Sequence, residues 1–260
     1  MIDHEFKKKF GQNFIFDKNF LSAIIDGAGI EKNDEVLEIG AGAGTLTEIL
    51  SQSAKKVVSF EIDKDLKEHL LGLKLENVNF VFEDVMKVDT KDIDEKFDKN
   101  YKMIANLPYY ITTPIIFKFL NESKKISALG IMVQKEVGQR ICADKGGKDY
   151  GVLSVMIEFY GKAKILKEVN RKMFYPSPNV DSVFVMIEVD RNKFDDVDGE
   201  KFFRFVQTIF SMRRKTLKNN LAKLSLSKEK LSSLSEEILS KRAENFSCSE
   251  IIDIYHKIFD

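Results

Sequence analysis

Val36-Leu37-Glu38-Ile39-Gly40-Ala41-Gly42-Ala43-Gly44 is the stretch on which the fold of this chain turns. Its first four residues read as a short strand, and alternating glycines stop it at once. Glycine takes up left-handed backbone without a Cβ penalty, so the segment predicts a tight turn that lets backbone approach a ligand closely. Thr45 to Ser51 then reads as a helix. A strand, a glycine turn and a helix in that order open a nucleotide-binding sheet. The dinucleotide fingerprint G-x-G-x-x-G would place its last glycine one residue beyond Gly44, so a nicotinamide cofactor fits poorly. A plain strand-end turn is the structural alternative.

The flanking sequence repeats the alternation. Val57 to Glu61, Val78 to Phe82, Tyr101 to Ala105 and Ala128 to Val133 are short runs rich in β-branched and aromatic residues, and read as strands. Lys64–Leu71, Pro114–Asn121 and Lys135–Ala143 are the helix candidates between and after them. Strand–helix alternation predicts the α/β class, with a parallel Rossmann-like sheet covered on both faces. Leu153–Tyr160 and Ser182–Val189 have no long helix between them and are expected to pair as an antiparallel edge. From Gly199 onward apolar residues recur at helical spacing. The expected organisation is one α/β domain over residues 1–190, a polar linker over 191–198, and a small all-α C-terminal domain over 199–260.

In such a sheet, ligands sit beyond the carboxyl ends of the strands. Glu61 ends the second strand and suits hydrogen bonds from ribose hydroxyls. Asp84 follows the third and suits an adenine amino group. Asn106-Leu107-Pro108-Tyr109 follows the fourth, where Pro108 holds Leu107 extended. An Asn carbonyl and nearby backbone carbonyls can converge as acceptors on an exocyclic amine, and Tyr109 can stack on the base that carries it. Adenine N6 is a poor nucleophile, because its lone pair is delocalised into the ring. Acceptors that draw on its two hydrogens favour pyramidalisation and aim that lone pair. No strongly basic side chain is required; orientation and electrostatics supply the effect.

The formal net charge is zero, from 41 basic and 41 acidic side chains. The distribution is uneven: residues 1–110 carry −6, residues 111–223 carry +8 and residues 224–260 carry −2. Lys201 to Lys223 has seven basic side chains and no acidic one. A basic block is a cue for a polyanion, and a solvated helix face is the plain alternative. Cys142 and Cys248 are the only cysteines and have no CxxC or Cys/His spacing. Neither a disulfide framework nor a metal is therefore expected. No run of about 18 apolar residues suggests a membrane span. Met1 to Phe20 lacks an apolar signal region, so the expected setting is cytoplasmic, with no membrane partner.

An ordered set of motifs resembles one family along nearly the whole chain. They are Phe10-Gly11-Gln12-Asn13-Phe14, Glu38 to Gly44, Glu61-Ile62-Asp63, Glu83-Asp84-Val85, Asn106-Leu107-Pro108-Tyr109, Gln134-Lys135-Glu136-Val137, Phe174 to Ser182, and Arg213-Arg214-Lys215-Thr216-Leu217. The set resembles the small-subunit (16S) ribosomal RNA adenine N6,N6-dimethyltransferases. Single motifs among these are weak; their order is specific. The resemblance implies an S-adenosylmethionine-dependent methyltransferase that modifies two adjacent adenosines near the 3′ end of small-subunit ribosomal RNA. It also implies action as a monomer on a pre-30S particle, coupled to biogenesis of the small subunit. By the same resemblance the cofactor would meet Gln12, Asn13, Ile15, Gly40, Gly42, Glu61, Ile62, Asp84, Val85 and Asn106. Asn106, Leu107, Pro108 and Tyr109 would form the target site, with Phe174 closing on the other face of the base. Lys7, Lys8, Lys9, Arg213, Arg214 and Lys215 would meet RNA.

Three departures concern target positioning: Ile15 stands for a usual leucine, Tyr110 for a frequent asparagine, and Gly151-Val152-Leu153 lacks an arginine common there. Two rival readings remain open at this stage. One is a large-subunit RNA methyltransferase of the erythromycin-resistance type, against which Leu107 and the Phe174–Ser182 segment argue. The other is a non-catalytic RNA-binding assembly factor, against which the intact Glu61, Asp84, Asn106 and Tyr109 argue. A dehydrogenase is more remote.

Overall fold

A computed structural model describes residues 13–259. In chain order its elements begin β1 (Phe14–Ile15), α1 (Lys18–Gly27), β2 (Glu35–Ile39), α2 (Thr45–Ser53), β3 (Lys56–Phe60), α3 (Lys67–Gly72), β4 (Val78–Val81), α4 (Thr90–Asp94) and β5 (Tyr101–Asn106). They continue α5 (Thr112–Glu122), β6 (Ile126–Gln134), α6 (Lys135–Ile141), α7 (Val152–Tyr160), β7 (Gly161–Val169), β8 (Phe174–Tyr175) and β9 (Ser182–Val189). The last are α8 (Gly199–Ile209), α9 (Leu217–Leu221), α10 (Lys228–Ser232), α11 (Glu236–Ser240) and α12 (Cys248–Phe259).

The chain divides into two compact units, residues 13–138 with 164–189, and residues 139–163 with 190–259. A seven-stranded sheet runs β4-β3-β2-β5-β6-β9-β7. Strands β4, β3, β2, β5 and β6 are parallel to their neighbours, and β9 runs antiparallel to β6. All five residues of β2 are buried, as expected of a strand covered on both faces. After β2 the chain moves outward through β3 and β4, then returns to the other side of β2 as β5. The order therefore reverses between β2 and β5, the kind of crevice in which ligands of open α/β sheets bind.

The first unit's core joins helices to the sheet: Leu21, Ile24 and Ile25 of α1, Ile49 and Leu50 of α2, and Val36, Val57 and Ile104 of the strands share one buried cluster. Helix α1 starts where the Asp17 carboxylate accepts the Phe20 N–H at 3.0 Å, an N-cap worth about 1 kcal/mol. A two-stranded ribbon completes the unit, with Phe14 opposite Tyr175 and Ile15 opposite Phe174.

The α/β class and the positions of β2 to β6 agree with expectation, as does the antiparallel placement of Ser182–Val189. Three details differ. Leu153–Tyr160 is helix α7, not an edge strand; β9 pairs with β6 and, on its other side, with β7. The run is apolar nearly all round, and such a run does not distinguish a buried strand from a buried helix. At its start the Ser154 hydroxyl accepts the Gly151 N–H at 3.1 Å and donates to the Arg140 carbonyl at 2.6 Å.

The second difference follows from the first. As a helix, α7 joins an aromatic core: Phe159 stacks on Phe202 at 4.8 Å, and Tyr255 meets Phe202 and Phe205 edge-on at 5.7 and 5.5 Å. Residues 139–163 thus belong with the C-terminal helices, and the expected single domain over 1–190 is interrupted. The third concerns residues 191–198, expected to be a polar linker. Phe194 stacks on Phe159 at 5.7 Å and the Lys193 ammonium donates to the Glu158 carbonyl at 2.6 Å, so the segment is packed into the second unit.

Candidate active site

Register brings the site together. Ile39 of β2 lies beside Ala105 of β5, so the glycine turn after one strand and Asn106 at the end of the other emerge side by side. A Cβ built on Gly40 would stand 3.5 Å from the Asn106 carbonyl oxygen. Gly40, Gly42 and Gly44 have φ of +84°, +55° and +81°. All three are in the left-handed region, where a side chain is strained. At Gly42 space forbids one as well, since a Cβ would lie 2.5 Å from the ring of Phe14.

These turns line an open cleft within the first unit. Of the ten residues the resemblance assigns to the cofactor, nine line it: Asn13, Ile15, Gly40, Gly42, Glu61, Ile62, Asp84, Val85 and Asn106. Gln12 lies outside the described residues, as do Lys7, Lys8 and Lys9. Leu107 and Pro108 line the cleft, while Tyr109 does not. The Tyr109 hydroxyl is 2.8 Å from the Ser182 hydroxyl on β9. Burial of that phenol raises its pKa, an effect partly offset by the Ser182 contact. Phe174, expected to face the target base, is 3% exposed and shares the core cluster with Ile15 and Phe184. Its pairing with β1 directs it into the core rather than onto the cleft wall.

Several wall residues have no role assigned from the sequence. Phe14, Thr45, Leu46, Ile111 and Ile115 line the cleft. Their available signal is position: Thr45 and Leu46 open the helix after Gly44, and Ile111 and Ile115 are four residues apart around the start of α5.

The carboxylates divide the work. Glu61 is 4% exposed; one oxygen accepts the Gly42 N–H at 2.8 Å and the other the Asp63 N–H at 2.8 Å. Burial raises its pKa against the pull of those amides. Each oxygen has a second lone pair, so the pinned carboxylate can still accept from a ligand's hydroxyls. Asp84 caps the turn after it by accepting the Met86 N–H at 3.0 Å. Glu38, one strand residue before the turn, is fully buried. Its Oε2 accepts from the hydroxyls of Thr47 at 2.7 Å and Ser59 at 2.6 Å, while Oε1 has no partner among the described residues. Burial pushes its carboxyl up to about 7.

Asn106 is the pivot. Its side-chain Nδ2 donates to the Asn13 carbonyl at 3.0 Å, which turns Oδ1 to the opposite side of the carboxamide. The Pro108 carbonyl accepts from Ile111 N–H at 3.1 Å and from the Thr112 hydroxyl at 3.3 Å, so the turn is held from below. Left-handed glycines that open the backbone, apolar walls and two carboxylates at successive strand ends fit the adenosyl and methionyl parts of S-adenosylmethionine.

In the second unit, the basic run is largely neutralised. Lys201 pairs with Asp198 at 3.4 Å, Arg204 with Glu200, Lys218 with Glu236 at 3.3 Å and Arg213 with Glu244 at 3.8 Å. Arg214 and Lys215 are exposed and have no ion-pair partner among the described residues.

The chain is similar to known proteins in sequence and in fold. Residues 3–259 match the family model described as ribosomal RNA adenine dimethylase. A ribosomal RNA small subunit methyltransferase A from Fusobacterium nucleatum is 42% identical over 269 residues, covering 100% of this chain and 99% of that protein. The protein of the same name from Caldanaerobacter subterraneus is 48% identical over 230 residues, covering 86% of this chain and 85% of its own length. Among solved structures, a dimethyladenosine transferase from Plasmodium falciparum superposes with a TM-score of 0.78 at 27% identity, over 93% of this chain and 95% of that one. The 23S rRNA methyltransferase ErmE superposes with a TM-score of 0.73 at 21% identity, over 95% of this chain and 100% of that one, a likeness of fold alone.

Proposed function

Because this chain belongs to the ribosomal RNA adenine dimethylase family, we propose that its cleft holds S-adenosylmethionine beside an adenine extruded from small-subunit ribosomal RNA. The chain is a methyltransferase that dimethylates adenine in that RNA, with S-adenosylmethionine as donor. The observation that carries the site assignment is the convergence of the Gly40–Gly44 turn and Asn106–Pro108 on one cleft at the β2/β5 reversal.

When bound, the cofactor supplies an electrophilic sulfonium methyl group. The protein's part is placement. Glu61 offers its remaining lone pairs to the ribose, and Asp84 faces the adenine end. Asn106 Oδ1 accepts from the N6 amino group of the target, held in aim because Nδ2 is committed to Asn13. Drawing on the N6 hydrogens directs the lone pair towards the methyl carbon, and the apolar wall excludes water. Tyr109, held by Ser182 off the cleft wall, keeps its stacking role in this reading only for a flipped base that reaches it beyond that wall; stacking there offsets the few kcal/mol that extrusion costs. Phe174 supports the wall from within the core.

Two adjacent adenosines near the 3′ end are the targets in this reading. The enzyme works as a cytoplasmic monomer on a pre-30S particle, so that methylation is coupled to small-subunit biogenesis. Exposed Arg214 and Lys215 meet phosphates. Among the described residues no helix is long and apolar enough to cross a membrane. The test incubates the protein with labelled S-adenosylmethionine and unmethylated small ribosomal subunits, then maps the modified adenosines. Label on paired adenosines of small-subunit RNA is expected; label confined to large-subunit RNA would overturn the assignment.

A further inference from the structure

The two tyrosines after Pro108 have different environments. Tyr109 is tied to β9 through Ser182 and does not line the cleft. Tyr110 lines the cleft and is 66% exposed, more than any other large apolar side chain among the described residues. The backbone beside it is hydrogen-bonded: Ile111 N–H closes a turn onto Pro108 at 3.1 Å, and α5 begins at Thr112. The exposed ring stands next to this turn, at the lip of the cleft that also holds Asn106. It does not serve the core.

The substrate supplies a partner for such a surface. When one adenosine leaves its stack to reach Asn106, the base beside it loses a stacking neighbour at the mouth of the same cleft. Unstacked bases of single-stranded RNA are commonly met by aromatic side chains, because every base has a π-face. We propose that Tyr110 is a stacking platform for the nucleobase that flanks the target adenosine, forming a subsite distinct from the pocket for the base being methylated. It rests on the assignment of Asn106 to the target. Tyr110 then sets how the RNA strand is registered over the cleft and takes no part in holding the cofactor.

The test measures steady-state kinetics on unmethylated small subunits and calorimetric affinity for S-adenosylmethionine. Tyr110→Ala should raise KM for the subunit about tenfold. Its cofactor Kd should stay at the wild-type value, and Tyr110→Phe should recover most of the lost KM. Subunits reconstituted with an abasic site at each flanking position in turn identify the base. At one position the wild type should fall to the KM of Tyr110→Ala, and the variant should lose nothing further. An unchanged KM in Tyr110→Ala, or penalties that simply add at both positions, would overturn the subsite. A cofactor Kd weakened as much as KM would instead make Tyr110 part of the cofactor wall and also overturn it. Undiminished turnover in Asn106→Ala would remove the assignment on which the proposal rests, and that failure is visible independently of Tyr110.

Discussion

In the proposed site Asn106 concentrates the chemistry in one carboxamide, because each of its two polar atoms has one task. Nδ2 is fixed by the Asn13 carbonyl, and Oδ1 is the atom proposed to meet the target. Asn106→Ala should lower kcat by about a hundredfold or more, as loss of one aimed polar contact does elsewhere. Cofactor Kd should move by only a few-fold; single-turnover methyl transfer and calorimetry separate the two. Glu61 differs, because its oxygens hold Gly42 and Asp63 in place and face the cleft at once. Glu61→Ala should therefore weaken cofactor binding and lower the melting temperature of the cofactor-free protein together. A changed Kd with an unmoved melting temperature would mean that the amide contacts carry no weight. That Glu61 and Asn106 matter is legible in their positions after two strands. Which atom of each is already occupied is not, because that depends on Asn13 and Gly42, which are distant in sequence.

At the scale of elements, the β2–turn–α2 unit is braced from below by Glu38. One carboxyl ties Thr47 on α2 and Ser59 on β3 to the strand that leads into the glycines. Burial raises its pKa from 4.5 to about 7. Between those values the native state holds a proton that the unfolded chain has released. Glu38's contribution to stability is therefore complete below 4.5 and is lost as pH rises through about 7. Glu61 titrates in the same sense. Glu38→Gln removes only the Glu38 share, so chemical denaturation of the variant at a series of pH values should show a shallower decline than the wild type across that window. An identical slope would place the proton elsewhere. Gly42→Ala tests the turn itself. A methyl group at φ +55°, 2.5 Å from Phe14, should weaken S-adenosylmethionine binding about tenfold in calorimetry, the strain of one left-handed residue. The strand–turn–helix unit was readable from local pattern, and the Glu38 brace was not, since a charged residue inside a strand looks the same paired or solvated.

At the scale of the whole molecule, the zero net charge conceals the basic segment proposed to meet RNA, and the fold narrows that proposal further. Of the seven basic side chains from Lys201 to Lys223, four are paired with carboxylates of the second unit. Replacing Arg214 and Lys215 together by alanine should reduce the slope of log affinity against log salt by about 1 to 2 in RNA-binding titrations. Arg213→Ala should change it less, because Arg213 already spans Glu244 and the Lys148 carbonyl; an equal effect would show that those contacts yield to RNA.

What the sequence determined by itself is the α/β class, the succession of strands and helices from β2 to β6 along the chain, and the turns that carry Gly40, Glu61, Asp84 and Asn106. Each is set by residues adjacent in the chain: β-branched runs, glycines that permit φ above zero, and a proline that fixes the residue before it. Tertiary structure alone decided that Leu153–Tyr160 is a helix, that residues 139–163 join the C-terminal unit, that Phe174 turns inward, and that Tyr110 rather than Tyr109 borders the cleft. In each case the deciding partner lies far along the chain: Phe202 for α7, Ile15 for Phe174, Ser182 for Tyr109. A local pattern states what a segment can bury, and only the fold supplies the surface against which it is buried.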